Sequence, residues 1–123
     1  MNIKDFDTLV MLSILRLHGG KSIKLVNGKL TNVPGINDIY LENVFSFIVK
    51  NHLLTITIED ITKSINRFIS YKLVTIENNR LCPSYSLIRY YIEILKDTDC
   101  LEEQLKILDA KMNRLIESNR SDW

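Results

Sequence analysis

A chain of 123 residues with 16 Lys plus Arg against 15 Asp plus Glu has the length of one domain and can bury a core without disulfide or metal staples. Its net charge of +1 argues against a protein held on nucleic acid by charge alone, although a local basic stripe can sit within a neutral total. The two cysteines, Cys82 and Cys100, have no CxxC spacing and the two histidines, His18 and His52, stand apart, so free thiols and no zinc site are expected.

In chain order, Asp5 or Asp7 can cap a first helix that runs to about His18, where Gly19-Gly20 should stop it. Leu9, Val10, Met11, Leu12, Ile14, Leu15 and Leu17 leave this helix almost no polar face, which suits the centre of a domain or of a dimer. The same run is too short to span a bilayer, is interrupted by Ser13 and Arg16, and follows acidic residues where a signal peptide would be basic. A soluble, cytoplasmic protein without a membrane partner is expected. Between Lys21 and Val33, two short runs flank Asn27-Gly28, a residue pair suited to the positive φ angles of a type I′ hairpin. The hairpin reads as a structural flap, with a partner-binding arm as the alternative. Pro34-Gly35 then breaks the chain. A second helix is expected from about Asp38 to Asn51, with Ile39, Leu41, Val44, Phe45, Ile48 and Val49 buried and Glu42, Asn43, Ser46 and Lys50 outward. Leu53 to Thr57 has room for a short strand, and Thr57 with Asp60 three residues later has the spacing of a helix-capping start.

The stretch from Asp60 to Val74 is the most informative. Ile61, Ile65, Phe68 and Ile69 fall on one face of a helix, and Thr62, Lys63, Asn66, Arg67 and Ser70 fall on the other, where they suit phosphates and base edges. Val74 to Glu77 is answered across Asn78-Asn79 by Arg80 to Cys82, so a tight β-hairpin should follow. Here the chain resembles the winged helix-turn-helix regulators of bacteria, of the broad MarR and PadR kind. In those families a recognition helix with an apolar, small-apolar, apolar pattern ends in Gly-Leu-Val or Gly-Leu-Ile and enters the wing. The matching residues are Ile61, Ser64, Ile65, Phe68 and Leu73-Val74, with Lys72 where those families usually carry Gly, and the resemblance covers Ile58 to about Ile94. It implies a mainly α (α+β) fold: a winged helix-turn-helix domain over residues 1–83, with the early hairpin as an addition.

Beyond Pro83, apolar residues recur at Leu87, Tyr91, Ile94, Leu101, Leu105, Leu108, Met112 and Leu115, in steps of three and four if Thr98 fills the gap. This heptad run predicts a long C-terminal helix with a coiled-coil seam over residues 84–123, kinked near Asp97-Thr98-Asp99 or restarted there by Asp99 and Glu102. The simplest partner for the seam is the same helix of a second copy, giving a homodimer; the alternative is that it folds back on the first helix of its own chain. Ser118 to Trp123 reads as a frayed end.

No phosphate loop, HExxH motif, nucleophile elbow or cofactor signature is present, so neither catalysis nor a cofactor is expected. The expected function is a dimeric DNA-binding transcriptional regulator on double-stranded DNA. Asn66 and Arg67 would read bases, Thr62, Lys63 and Ser70 would hold bases or phosphates, and Arg80 at the wing would reach the backbone or minor groove. The alternative is a non-catalytic protein-binding module on the same fold, such as an immunity protein or the small subunit of a larger assembly, which the near-neutral charge would suit.

Overall fold

The structure, a computed structural model, describes residues 3–26, 29–32, 39–52 and 54–120. It is mainly helical, with two small antiparallel ribbons: α1 (Ile3–Ser22), β1 (Ile23–Val26), β2 (Lys29–Asn32), α2 (Leu41–His52), α3 (Ile58–Ser70), β3 (Val74–Glu77), β4 (Arg80–Pro83), α4 (Tyr85–Asp97) and α5 (Leu101–Arg120).

The nearly all-apolar first helix is the hub. Leu9 to Leu12, Ile14, Leu15 and Leu17 are buried, and α1 packs against α2, α3, α4 and α5 together. A helix apolar on every side needs neighbours on every side, and this chain supplies them. Two sequence expectations for α1 require correction. Asp5 and Asp7 lie inside the helix, not before it, and the helix runs on through Gly19-Gly20 to Ser22. Glycine weakens a helix interior by about 1 kcal/mol relative to alanine, but it only permits the left-handed stop and does not impose it. No described helix is long and apolar enough to cross a membrane.

The early hairpin forms, with Val26 opposite Lys29 and Ile23 opposite Asn32. Its Asn27-Gly28 turn, the Pro34-Gly35 break and Asp38 lie outside the described residues. Helix α2 starts later than Asp38, at Leu41, where Asn43 Oδ1 accepts the Tyr40 N–H at 2.8 Å. Ile39, Val44 and Ile48 are buried as expected and Leu41 and Phe45 are half-buried, but Val49 faces outward. Residues 54–57 form no strand, contrary to the expectation for this link. The backbone next to the second ribbon is Ile39, whose carbonyl accepts the Leu81 N–H at 2.7 Å.

The C-terminal region differs most from its sequence reading. Asp97 ends α4, Thr98 is extended, and α5 begins at Leu101, so of the two readings for this point the restart forms and the single kinked helix does not. Thr98 manages the break, rather than Asp99 with Glu102: its Oγ1 accepts the Cys100 N–H at 3.0 Å and donates to Glu103 Oε2 at 2.8 Å. Its carbonyl accepts from the buried Gln104 side chain at 3.0 Å, and Gln104 Oε1 accepts from Arg16 of α1 at 3.2 Å. The two helices run in opposite directions. Ser84, the N-cap of α4, donates its N–H to Leu73 O at 2.9 Å, and Asn119 near the end of α5 returns to donate to Tyr71 O at 2.9 Å. Residues 118–120 are thus helical, not a frayed end, and 121–123 lie outside the described residues.

The heptad seam is therefore filled from within. Leu87, Tyr91, Ile94, Leu108 and Met112 are buried in the single-chain core, and Leu101, Leu105 and Leu115 pack half-buried against it. Of these positions, expected as a dimer interface, the first five are covered within the chain by α1 and the α4–α5 pairing, while Leu101, Leu105 and Leu115 keep part of their surface open.

Candidate functional site

Helix α3 and the ribbon after it carry every polar residue singled out in the sequence as a contact to DNA. Thr57 caps α3: its Oγ1 accepts the Asp60 N–H at 3.2 Å, while Asp60 Oδ2 accepts the Thr57 N–H at 2.9 Å. The Thr57 N–H donated to Oδ2, and after it the Thr57 side chain, hold the Asp60 carboxyl below the usual carboxylate range, and nearby Lys63 adds to the effect. Ile61, Ser64, Ile65 and Phe68 form the buried face; Ile69, expected with them, is exposed.

The far end of α3 closes in a left-handed turn. Lys72 has φ 62°, Leu73 donates its N–H to Phe68 O at 2.8 Å, and Lys72 donates to Ile69 O at 3.0 Å. This is the double hydrogen bond of a Schellman stop, closed by the buried pair Phe68 and Leu73. Lysine thus occupies a backbone state that favours glycine, at the position where glycine stands in the sequence pattern noted above. The ribbon follows at once. Val74 pairs with Pro83 and Glu77 with Arg80, around Asn78 and Asn79 at φ 52° and 66°, the two-residue turn that the Asn pair predicts.

The polar side chains have unequal freedom. Lys63 and Asn66 are exposed, and the Asn66 carboxamide makes no hydrogen bond to a described residue. The Thr62 hydroxyl donates to Ile58 O at 2.9 Å and that of Ser70 to Arg67 O at 2.8 Å, so both donors are used inside the helix. Arg80 is half-buried, and its Nε reaches Glu77 O at 3.4 Å across the turn.

Arg67 departs furthest from its expected role as a base reader. Its Nε donates to Asp7 Oδ2 at 2.8 Å and its Nη2 to Asp7 Oδ1 at 2.6 Å, the bidentate fork that guanidinium and carboxylate favour. Nη2 also lies 3.3 Å from Ser64 Oγ, and the buried Ser64 hydroxyl donates to Asp7 Oδ1 at 2.6 Å. The hydrogen bond to Asp7 raises the Arg67 pKa further above its ordinary value. This clamp ties α3 to α1 over a sequence separation of 60. Asp7 was missed as a site residue: an acid ahead of an apolar helix is explained equally well as a cap.

Between α2, α3 and the ribbon lies an open hollow of about 400 Å³. Tyr40 and Glu42 come from the start of α2, Thr62 and Asn66 from α3, and Ile76 and Asn79 from the ribbon. Ile76 is 50% exposed, so the hollow offers apolar surface beside an unengaged carboxamide. Glu42 is the charged residue of its lining; along α3 and the ribbon, Lys63 and Lys72 are exposed cations and Glu59, Asp60 and Glu77 exposed anions, so acids are in slight excess. Among the described residues no group of three or more His, Cys, Asp or Glu side chains is placed to hold a metal ion, and Cys82 and Cys100 are free thiols. No protein-family profile, curated protein or solved structure matches the chain.

Proposed function

We propose that the chain is a DNA-binding regulator of the winged helix-turn-helix type, with α2 as supporting helix, α3 as recognition helix in a major groove and β3–β4 as wing. The observation that carries this reading is the solvent face of α3, where Lys63, Asn66 and Ser70 stand exposed between a preceding helix and a following two-stranded ribbon. In this arrangement Asn66 contacts a base edge, Lys63 and Ser70 contact bases or phosphates, and Arg80 and Lys72 approach the phosphate backbone. Arg67 becomes a positioning residue that sets the angle of α3 through Asp7. Leu87, Tyr91, Ile94, Leu108 and Met112 of the heptad seam are internal, so the proposal concerns one chain on one stretch of duplex.

The test is titration of a random-sequence duplex at several salt concentrations. About three phosphate contacts, by Lys63, Lys72 and Arg80, predict an affinity that falls with a log–log slope of roughly −3. Absence of binding at low salt would remove the DNA reading. A protein-binding module is the second reading, favoured by the apolar lining of the hollow and by exposed acids that outnumber the exposed cations on α3 and the ribbon; it predicts little affinity for duplex at any salt.

A further inference from the structure

Resting on the DNA reading above, we propose that α3 selects an A·T base pair over a G·C pair, with Asn66 on the adenine and the thymine methyl group received by the hollow between α3 and the ribbon.

The first support is a count of donors. Reading guanine through its O6 and N7 needs two parallel donors, which arginine supplies best. Arg67 is the arginine of α3, and its Nε and Nη2 are both committed to Asp7, with Ser64 beside Nη2. The side-on edge of the guanidinium is thus taken up by Asp7, which leaves Nη1 and the outer N–H of Nη2 as its remaining donors and no acceptor. Lys63 offers a flexible point charge better suited to phosphate than to a planar pair of acceptors. The hydroxyl donors of Thr62 and Ser70 are already used within the helix. The group left with a donor and an acceptor side by side is the Asn66 carboxamide, whose matching partner is adenine, through N6 and N7.

The hollow is an independent support. Asn66 lines it together with Thr62, Ile76 and Tyr40, so a base pair engaged by Asn66 brings its neighbouring major-groove surface against apolar side chains. The C5-methyl group of thymine gains from that contact, whereas the N4 amine of cytosine would lose water there without an acceptor on Ile76. Glu42 on the rim is the carboxylate of the lining, the acceptor type matched to a cytosine amine, and it serves as the control.

The experiment is selection of bound duplexes from a random pool by the full chain, the Asn66→Ala variant and the Glu42→Gln variant. Both substitutions sit at exposed positions, and melting curves verify that the variants are folded. The expected result is a fixed A·T pair in the wild-type pool that becomes unspecified with Asn66→Ala. On the selected duplex Asn66→Ala should lose about tenfold to a hundredfold more affinity than it loses on random duplex. Uracil in place of the fixed thymine should weaken binding about fourfold, the worth of one buried methyl. A fixed G·C pair, a fixed cytosine that Glu42→Gln releases, or equal retention of all sequences overturns this inference and leaves the DNA reading standing. Retention of no duplex at low salt overturns the DNA reading, and this inference with it.

Discussion

Replacing Asp7 by Ala is expected to weaken the fold and, on the proposed DNA-binding role, to strengthen duplex binding at the same time. In the folded chain the Asp7 carboxylate accepts three hydrogen bonds of 2.6 to 2.8 Å, two from Arg67 and one from Ser64. Exposed ion pairs contribute about 0–1 kcal/mol, and hydrogen bonds to charged groups about 1.5–3 kcal/mol. The Arg67 side chain is 39% exposed, so solvent screens its half of the pair, whereas Asp7 is 17% exposed and Ser64 is buried. The loss should fall at about 2 kcal/mol, since Ser64 keeps only the long contact to Arg67 once its acceptor is gone. Urea unfolding followed by circular dichroism measures it. A cycle with Arg67→Ala should show a coupling of about 1 kcal/mol, because each partner's removal strands the other. Duplex binding by Asp7→Ala should gain about one unit in salt slope as the freed guanidinium reaches phosphate. A variant within about 0.5 kcal/mol of wild type, additive with Arg67→Ala, would refute the clamp.

Lys72→Gly should raise stability by about 1 kcal/mol, and the melting temperature by about 4 °C, since the residue sits at φ 62° where a side chain is unfavourable; a loss of stability would contradict the left-handed stop. His18 and His52 have pKa values lowered by burial, with Arg16 adding to the effect at His52. The folded chain thus resists protonation more than the unfolded one. Stability should be level above pH 6.5, the ordinary histidine value, and fall as the pH drops below it, with His18→Gln flattening part of that fall in unfolding curves. Sedimentation velocity of the 123-residue chain should give 14.3 kDa, because Leu87, Tyr91, Ile94, Leu108 and Met112 of the heptad seam are covered within the chain. A doubled mass that Leu101→Glu and Leu115→Glu abolish would put the seam back on the surface.

What the sequence made legible was local. The face pattern of α3, its Thr57–Asp60 cap, the Asn78-Asn79 turn and the pairing of Val74–Glu77 with Arg80–Pro83 all follow from residues within a few positions of one another. The central place of α1 was readable too, because an apolar surface on every side admits few other locations. What failed was long-range. A heptad stripe looks the same whether it faces a second copy or the same chain, and the choice depended on α1 being left with sides to cover. Arg67 reads as a base contact from its own helix alone, because its partner Asp7 is distant in sequence. Periodicity also cannot say where a buried face ends, which is why Ile69 and Val49 sit outside while Ser64 sits inside. The stop at Lys72 was half-visible: the resemblance marked a glycine position, but only the backbone shows lysine held there at positive φ.

The most direct test of the account is an amide NMR footprint of the chain with a short duplex at low salt. The account predicts shifts concentrated at Thr62, Lys63, Asn66 and Ser70 and at the ribbon turn from Asn78 to Arg80, with the core of α1 unmoved. Shifts confined to α4 and α5, or none at any duplex concentration, would contradict the assignment of the exposed α3 face as the surface that meets DNA.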